Sequence, residues 1–302
     1  MKIVAYDNVK LNNTAVALGK FEGVHKGHML LINKITGLSN NKKSDNIKSD
    51  DVKSVIFTIN MPEDSVINLD NERYELFESC GIDYVCECPF DERISKLSPE
   101  DFIKNILVGR LGASYVVVGE DFGFGYRRAG NVETLKKYSK EYNYEVVVFE
   151  KLMIEDSIVS SSAIRELLDK GEVKLVADYM GRPYSVAGDV SEGKKLGRTI
   201  GFPTVNIIPD KKKKLPLPGA YETRVKIGKD SKVYKGITNV GNNPTVNSGA
   251  DALVETHLLD FDEDLYGKHI QVDFIRFIRP EIKFKSIEEL KNQLLIDKAS
   301  VV

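Results

Sequence analysis

Two histidines, His25 and His28, stand three residues apart in the run "ALGKFEGVHKGHMLL". Glycines at 19, 23 and 27 leave little side-chain bulk around them. The apolar "TAVALG" reads as a strand and the amphipathic segment from about residue 27 as a helix. Both imidazoles then sit at a helix N-terminus, where unpaired amides and the positive end of the helix dipole attract phosphate. Glycine lets the backbone approach closely, and imidazole N–H groups add donors to the cradle. Such donors suit nucleotidyl transfer at an α-phosphate, whose transition state gathers charge on the non-bridging oxygens. A pair of structural histidines beside a tight turn is the alternative. No local cluster of further metal-ligating side chains accompanies the pair.

A second glycine-bearing run, "GDVSEGKK", nearly spells a P-loop. Lys195 occupies the place of the Mg²⁺-binding hydroxyl, and strand-like sequence follows where a helix is required, so that reading is excluded.

The elements that must position these groups fall into two textures. Over 14–170, strand candidates (14–19, 52–59, 83–90, 115–121, 145–151) alternate with helix candidates near 27–37, 71–79, 98–111 and 131–141. Ser98 caps the third of these helices, with Pro99 in its first turn. This alternation implies βαβ crossovers and a mostly parallel sheet, in which ligands bind beyond the carboxyl ends of the strands. After about residue 183 the chain reads as short strands broken by Gly, Pro, Asn and Asp, then one helix over 286–297 with Ser286 as its cap. The expected fold is a doubly wound α/β domain followed by a small antiparallel β-barrel with a C-terminal helix, with the seam near 169–183. The polar stretch 39–51 reads as a solvated loop, and "KKKK" (211–214) as solvated surface.

At 302 residues the chain exceeds what one core usually serves. Lys+Arg 43 against Asp+Glu 45 gives a net charge of −2, which argues against a nucleic-acid or membrane-surface partner. No apolar run reaches the roughly 20 residues of a membrane span, and "MKIVAYDNVK" does not resemble a signal peptide. The three cysteines, Cys80, Cys86 and Cys88, read as reduced thiols of a cytoplasmic protein.

Three N-terminal segments resemble, in order, the FAD synthetase module of bifunctional riboflavin kinase/FAD synthetases: "GKFEGVHKGH", "VVVGEDFGFGYRRAGN" and "VSSSAIRELLDKGEV". The resemblance implies a nucleotidylyltransferase-like fold over 1–180. His25, His28 and Arg165 would act on the phosphates, with Gly19, Phe21, Gly23, Asp121, Phe124, Gly125 and Ser161 around nucleotide and flavin. "GKKLGRTIGFPTVN" (193–206) is similar to the riboflavin kinase pattern of the same family, implying a kinase domain over 184–302. There Thr204 and Asn206 would hold Mg²⁺, which favours hard oxygen ligands. Gly193, Gly197 and Gly201 would lie under the ATP phosphates with Arg198 supplying charge. Glu255 matches the family's general base and Arg279 a loop enclosing the ligands, whereas His257 and His269 read as structural.

The implied activity is ATP-dependent phosphorylation of riboflavin to FMN and adenylylation of FMN to FAD, by a monomer or weak homo-oligomer. A kinase alone, or a flavin-binding protein without turnover, are the competing readings. Departures from the pattern are Lys20 and Glu22 for Asn and Asp, "FTINMPEDSV" for a Phe-x-Pro-His-Pro stretch, and Val205 and Ala220 in the second module.

Overall fold

The computed structural model describes residues 1–40, 52–60, 63–191, 201–228, 232–242 and 252–301. Gly193, Gly197, Arg198 and most of the 39–51 stretch lie outside the described residues. The chain forms two compact units: Met1–Asp64 with Asn68–Ser160, and Ser65–Ile67 with Ser161–Val302.

The first unit is built on a six-stranded sheet. Its strands are β1 (Lys2–Ala5), β2 (Thr14–Gly19), β3 (Lys53–Asn60), β4 (Tyr84–Pro89), β5 (Ala113–Gly119) and β6 (Glu145–Phe149). They are ordered β1-β4-β3-β2-β5-β6, and every pairing is parallel. The helices are α1 (Lys26–Asn40), α2 (Asp70–Ser79), α3 (Glu92–Ser95), α4 (Pro99–Asp101) and α5 (Val132–Tyr142). The predicted helix at 98–111 is realised as α4, capped by Ser98, running straight into a π-helical stretch, Phe102–Val108. Side chains alternate across the strands. Val16, Leu18, Val55, Phe57, Val116 and Val118 pack with Phe102, Ile103 and Leu135. Ala15, Ala17, Ile56, Val85 and Val117 pack with Leu31, Ile32, Ile35 and Phe77. Both sheet faces are therefore covered, as a doubly wound fold requires. The chain winds outward from β2 through β3 and β4, then returns to begin again at β5 beside β2. The crevice between β2 and β5 is thus the switch point, and the histidine loop follows directly from β2.

The second unit opens with α6 (Ser161–Asp169) and α7 (Val173–Met180), so helix occupies the stretch read as a seam. A closed barrel follows: β7 and β8 being the hairpin Met153–Ile154 and Ser157–Ile158 of the first unit, its strands are β9 (Tyr184–Ser191), β10 (Val205–Ile207), β11 (Gly219–Ile227), β12 (Val233–Asn242), β13 (Ala252–Leu258) and β14 (His269–Pro280). The order β10-β13-β12-β11-β14-β9 is closed by pairing of β9 with β10. Tyr184, Tyr221 and Phe274 are buried in the core. The buried hydroxyls of Thr223, Thr238 and Thr256 form a chain with two 2.8 Å hydrogen bonds. The C-terminal helix, α8 (Ile287–Ala299), is capped by Ser286, whose hydroxyl accepts from the Glu289 amide.

The lysine run is not simply solvated surface. Lys213 is buried; its ammonium donates to the Ile67 carbonyl at 2.9 Å and lies 4.8 Å from the Tyr184 ring centroid. The Val66 amide donates to the Lys212 carbonyl and the Lys214 amide to that of Val66, so 65–67 pairs along the run. A solvated-face reading fails here because these ammonium and backbone groups are used to dock a strand-like segment.

Two candidate active sites

The first site grows from the turn after β2. Phe21 and Val24 adopt φ of 50° and 40°. This left-handed backbone is costly for a bulky or β-branched residue, about 1–3 kcal/mol each. Surrounding contacts hold it: the Lys20 carbonyl accepts from Thr58 Oγ1 at 3.0 Å and from Arg73 Nη1 at 3.1 Å. Phe21 is fully buried, and a Cβ on Gly19 would come within 3.1 Å of its ring.

His25 is buried and sits at the mouth of α1. The His28 amide donates to His25 Nδ1 at 3.3 Å, so this imidazole caps the helix and carries its proton on Nε2. The two imidazoles are stacked, with centroids 3.7 Å apart and planes at 20°, and Phe21 lies 4.9 Å from His28. A Cβ on Gly27 would stand 3.1 Å from His25 Nδ1, so the glycine gives that ring its place.

The segment after β5 divides its labour. Asp121 is exposed and pairs with Lys151 at 3.1 Å. Phe124 is buried among Phe102 and Phe122, with centroids at 5.3 and 5.7 Å, and its backbone bridges to Gly130. Gly125, at φ 72°, passes where a Cβ would meet Pro99 at 2.9 Å. Phe124 and Gly125 therefore shape this loop from within. Ser161 and Arg165 belong to the second unit, where Ser161 begins α6. Arg165 Nη2 donates to the Ser65 carbonyl at 2.6 Å and Nη1 approaches Ser65 Oγ at 3.4 Å.

The second site is a row across the barrel. Asn206 on β10 lies opposite Glu255 on β13, Glu255 opposite Asn239 on β12, Asn239 opposite Ala220 on β11, and Ala220 opposite Arg279 on β14. Residues opposite in antiparallel pairs share a face, so the row projects together. Thr204 Oγ1 donates to Glu255 Oε1 at 2.6 Å. Gly201, at φ 83°, lies three residues upstream in a conformation that favours glycine.

Two cavities meet at Thr204. One of about 210 Å³ is lined by Thr204, Glu255, Asn239 and Arg279 among Phe202, Ile237, Ile282, Phe284, Leu290 and Leu294. The other, about 360 Å³, runs past Pro203, Thr204 and Val205 to Asp262–Tyr266. Arg279 is engaged by Asp297 of α8: Nη2 lies 2.8 Å from Oδ2, and Nε donates to both oxygens at 3.1 Å. Asp297 is 1% exposed, so this pair binds the helix over the first cavity. Removing either partner of a buried pair costs about 3–5 kcal/mol. Asn239 and Asp297 were not singled out from the sequence. Pairing "NVGN" with "VETH" in hairpin register is the signal that would have found Asn239.

A riboflavin kinase family model matches residues 180–302, and an FAD synthetase family model matches residues 7–163. The chain is therefore a two-module transferase. The bifunctional riboflavin kinase/FMN adenylyltransferase of Escherichia coli (strain K12) is 34% identical over 287 residues, covering 93% of this chain and 90% of that protein. The protein of that description from Haemophilus influenzae is 33% identical, over 95% and 92%. The chain belongs to the bifunctional riboflavin kinase/FMN adenylyltransferase family. A crystal structure described as a macrolide-efflux protein from Streptococcus pneumoniae matches with a TM-score of 0.87 and 26% identity, over 100% of this chain and 99% of that one. Among the described residues, no helix is long and apolar enough to cross a membrane.

Proposed function

We propose that the chain makes FAD in two steps, phosphorylating riboflavin to FMN with ATP and then adenylylating FMN with a second ATP, in the cytoplasm. The kinase domain is assigned to 184–302 and the adenylyltransferase domain to 1–180. The observation that carries the reading is the 2.6 Å Thr204–Glu255 hydrogen bond at the meeting of two cavities. The smaller cavity, apolar with a few convergent polar groups, suits a flavin ring, and Glu255 at its wall accepts the proton of the 5′-hydroxyl.

Thr204 and Asn206 fit Mg²⁺ by chemistry. Both are hard oxygen donors that project with Glu255, and a hydroxyl donating to Glu255 keeps its lone pairs for a cation. Bound there with ATP, Mg²⁺ would neutralise phosphate charge. Gly193, Gly197, Gly201 and Arg198 would serve the same phosphates, and Arg279 would enclose the flavin through the α8 latch.

In the first unit, His28 and Nε2–H of His25 would donate to the α-phosphate, with the strained turn holding them against recoil. Gly19, Phe21 and Gly23 shape that turn, Asp121, Phe124 and Gly125 the facing loop. Ser161 and Arg165, which the family pattern also assigns to phosphate, lie in the second unit.

Purified protein incubated with riboflavin, ATP and Mg²⁺ should yield FAD, with flavins resolved by chromatography. FMN as the sole product would leave a kinase only, and unchanged riboflavin would leave a binding protein. His28→Ala should lower FAD formation by about 10²–10³-fold and spare FMN formation. Asn206→Leu should stop FMN formation while supplied FMN is still adenylylated. Loss of both activities in either folded variant would break the division of labour.

A further inference from the structure

His257 stands two residues beyond Glu255 on β13 and shares its strand face. Its Nδ1 lies 2.8 Å from the Pro203 carbonyl oxygen. A carbonyl only accepts, so Nδ1 carries the proton. The ring is buried, set edge-on to Phe202 with centroids 5.2 Å apart. Burial pushes its pKa below the usual histidine value, the Lys298 charge acts in the same direction, and the Pro203 bond opposes them. The neutral imidazole is the form that makes this bond with one nitrogen and leaves the other unprotonated.

Pro203 immediately precedes Thr204. Proline has no N–H, so its carbonyl is the polar backbone handle at that position. Two alternate residues of one strand thus grip two successive residues of the loop: Glu255 takes the Thr204 hydroxyl at 2.6 Å, and His257 takes the Pro203 carbonyl at 2.8 Å. The second grip fixes the peptide from which Thr204 projects. We infer that His257 is a positioning residue for phosphorylation: its Nδ1–H clamps the Pro203 carbonyl and thereby sets the Thr204 hydroxyl for Mg·ATP. This rests on the kinase reading above. His257 also lines the smaller cavity, so direct contact with the flavin is the rival role.

Two polar variants separate these roles in the full-length chain. His257→Asn places an amide N–H near the position of Nδ1 and keeps the clamp. His257→Gln reaches toward the position of Nε2 and releases it. FMN formation is measured while Mg²⁺ is titrated at saturating ATP and riboflavin. His257→Gln should raise the half-saturating Mg²⁺ concentration about tenfold, while His257→Asn stays within about twofold of the parent, as for groups that orient a metal ligand. The riboflavin KM and the conversion of supplied FMN to FAD should hold in both. An unchanged Mg²⁺ requirement in His257→Gln, or a raised riboflavin KM in its place, overturns the inference. Parent protein that makes no FMN overturns the kinase reading instead. Should His257→Gln fail to fold, nitrogen NMR of the histidine-labelled parent decides. The His257 resonance, assigned by its absence in His257→Asn, must report the proton on Nδ1, and a proton on Nε2 alone refutes the clamp.

Discussion

The histidine turn of the first unit and the Thr204–Glu255 row of the second fix their polar groups by opposite means. In the turn, both rings come from one short stretch of chain, and their places are set by backbone at positive φ and by missing side chains at Gly19 and Gly27. In the barrel, the groups come from separate strands, and register aligns Asn206, Glu255 and Asn239 without unusual backbone on the row itself. One site is placed by what is absent, the other by what is paired. The turn should therefore be sensitive to an added methyl group, and the barrel to a changed functional group of unchanged shape.

The largest expected effect is on the barrel side. Glu255→Gln keeps an oxygen able to accept from Thr204 and removes only the basicity. Riboflavin phosphorylation should fall by about 10²–10⁴-fold, with adenylylation of supplied FMN unaltered. A smaller fall would mean that Glu255 matters for shape, as the glycines of the turn do. Gly27→Ala tests the other half. The new Cβ would stand 3.1 Å from His25 Nδ1, so the ring must shift by a few tenths of an ångström. FAD formation should drop about tenfold, since misplacing a catalytic group by about 1 Å costs on the order of 10²-fold. Stability should change little, because the preference of a helix for alanine over glycine, about 1 kcal/mol, opposes displacement of the His25 ring that caps α1. Unchanged FAD formation in this variant would show that the turn is not placed by close contact.

How far each site could be read beforehand follows from the same contrast. The period-2 pattern of the barrel strands, the period-3.6 pattern of α1 and the Ser286 cap of α8 are local, and the fold of both units was legible from them. Strand β1 was not, because four residues with one buried neighbour strand carry too weak a pattern. The helix mouth at His25 was visible from glycine and the change of period. The stack of His25 on His28, and the nitrogen that is spent capping α1, depend on side-chain rotation that spacing does not encode. Lys213 was misread because a run of like charges looks the same whether its ammonium meets water or the Ile67 carbonyl. His257 reads as structural from the sequence, and its bond to the Pro203 carbonyl, 54 residues away, is a contact that spacing does not encode.

The smallest effect concerns stability, and it too separates the two regions. The His257 pKa is lowered in the folded protein, chiefly by burial, whereas in the unfolded chain it lies near the ordinary 6.5. Below that value the unfolded state binds the proton more readily than the folded one, so stability present above pH 6.5 is lost as pH falls through it. Calorimetry between about pH 7.5 and about pH 5.5 should therefore show an unfolding temperature that declines toward acid. His257→Asn, which keeps the clamp but cannot titrate, should decline less steeply. Parallel slopes for parent and variant would mean that the buried imidazole is not the group that senses the proton.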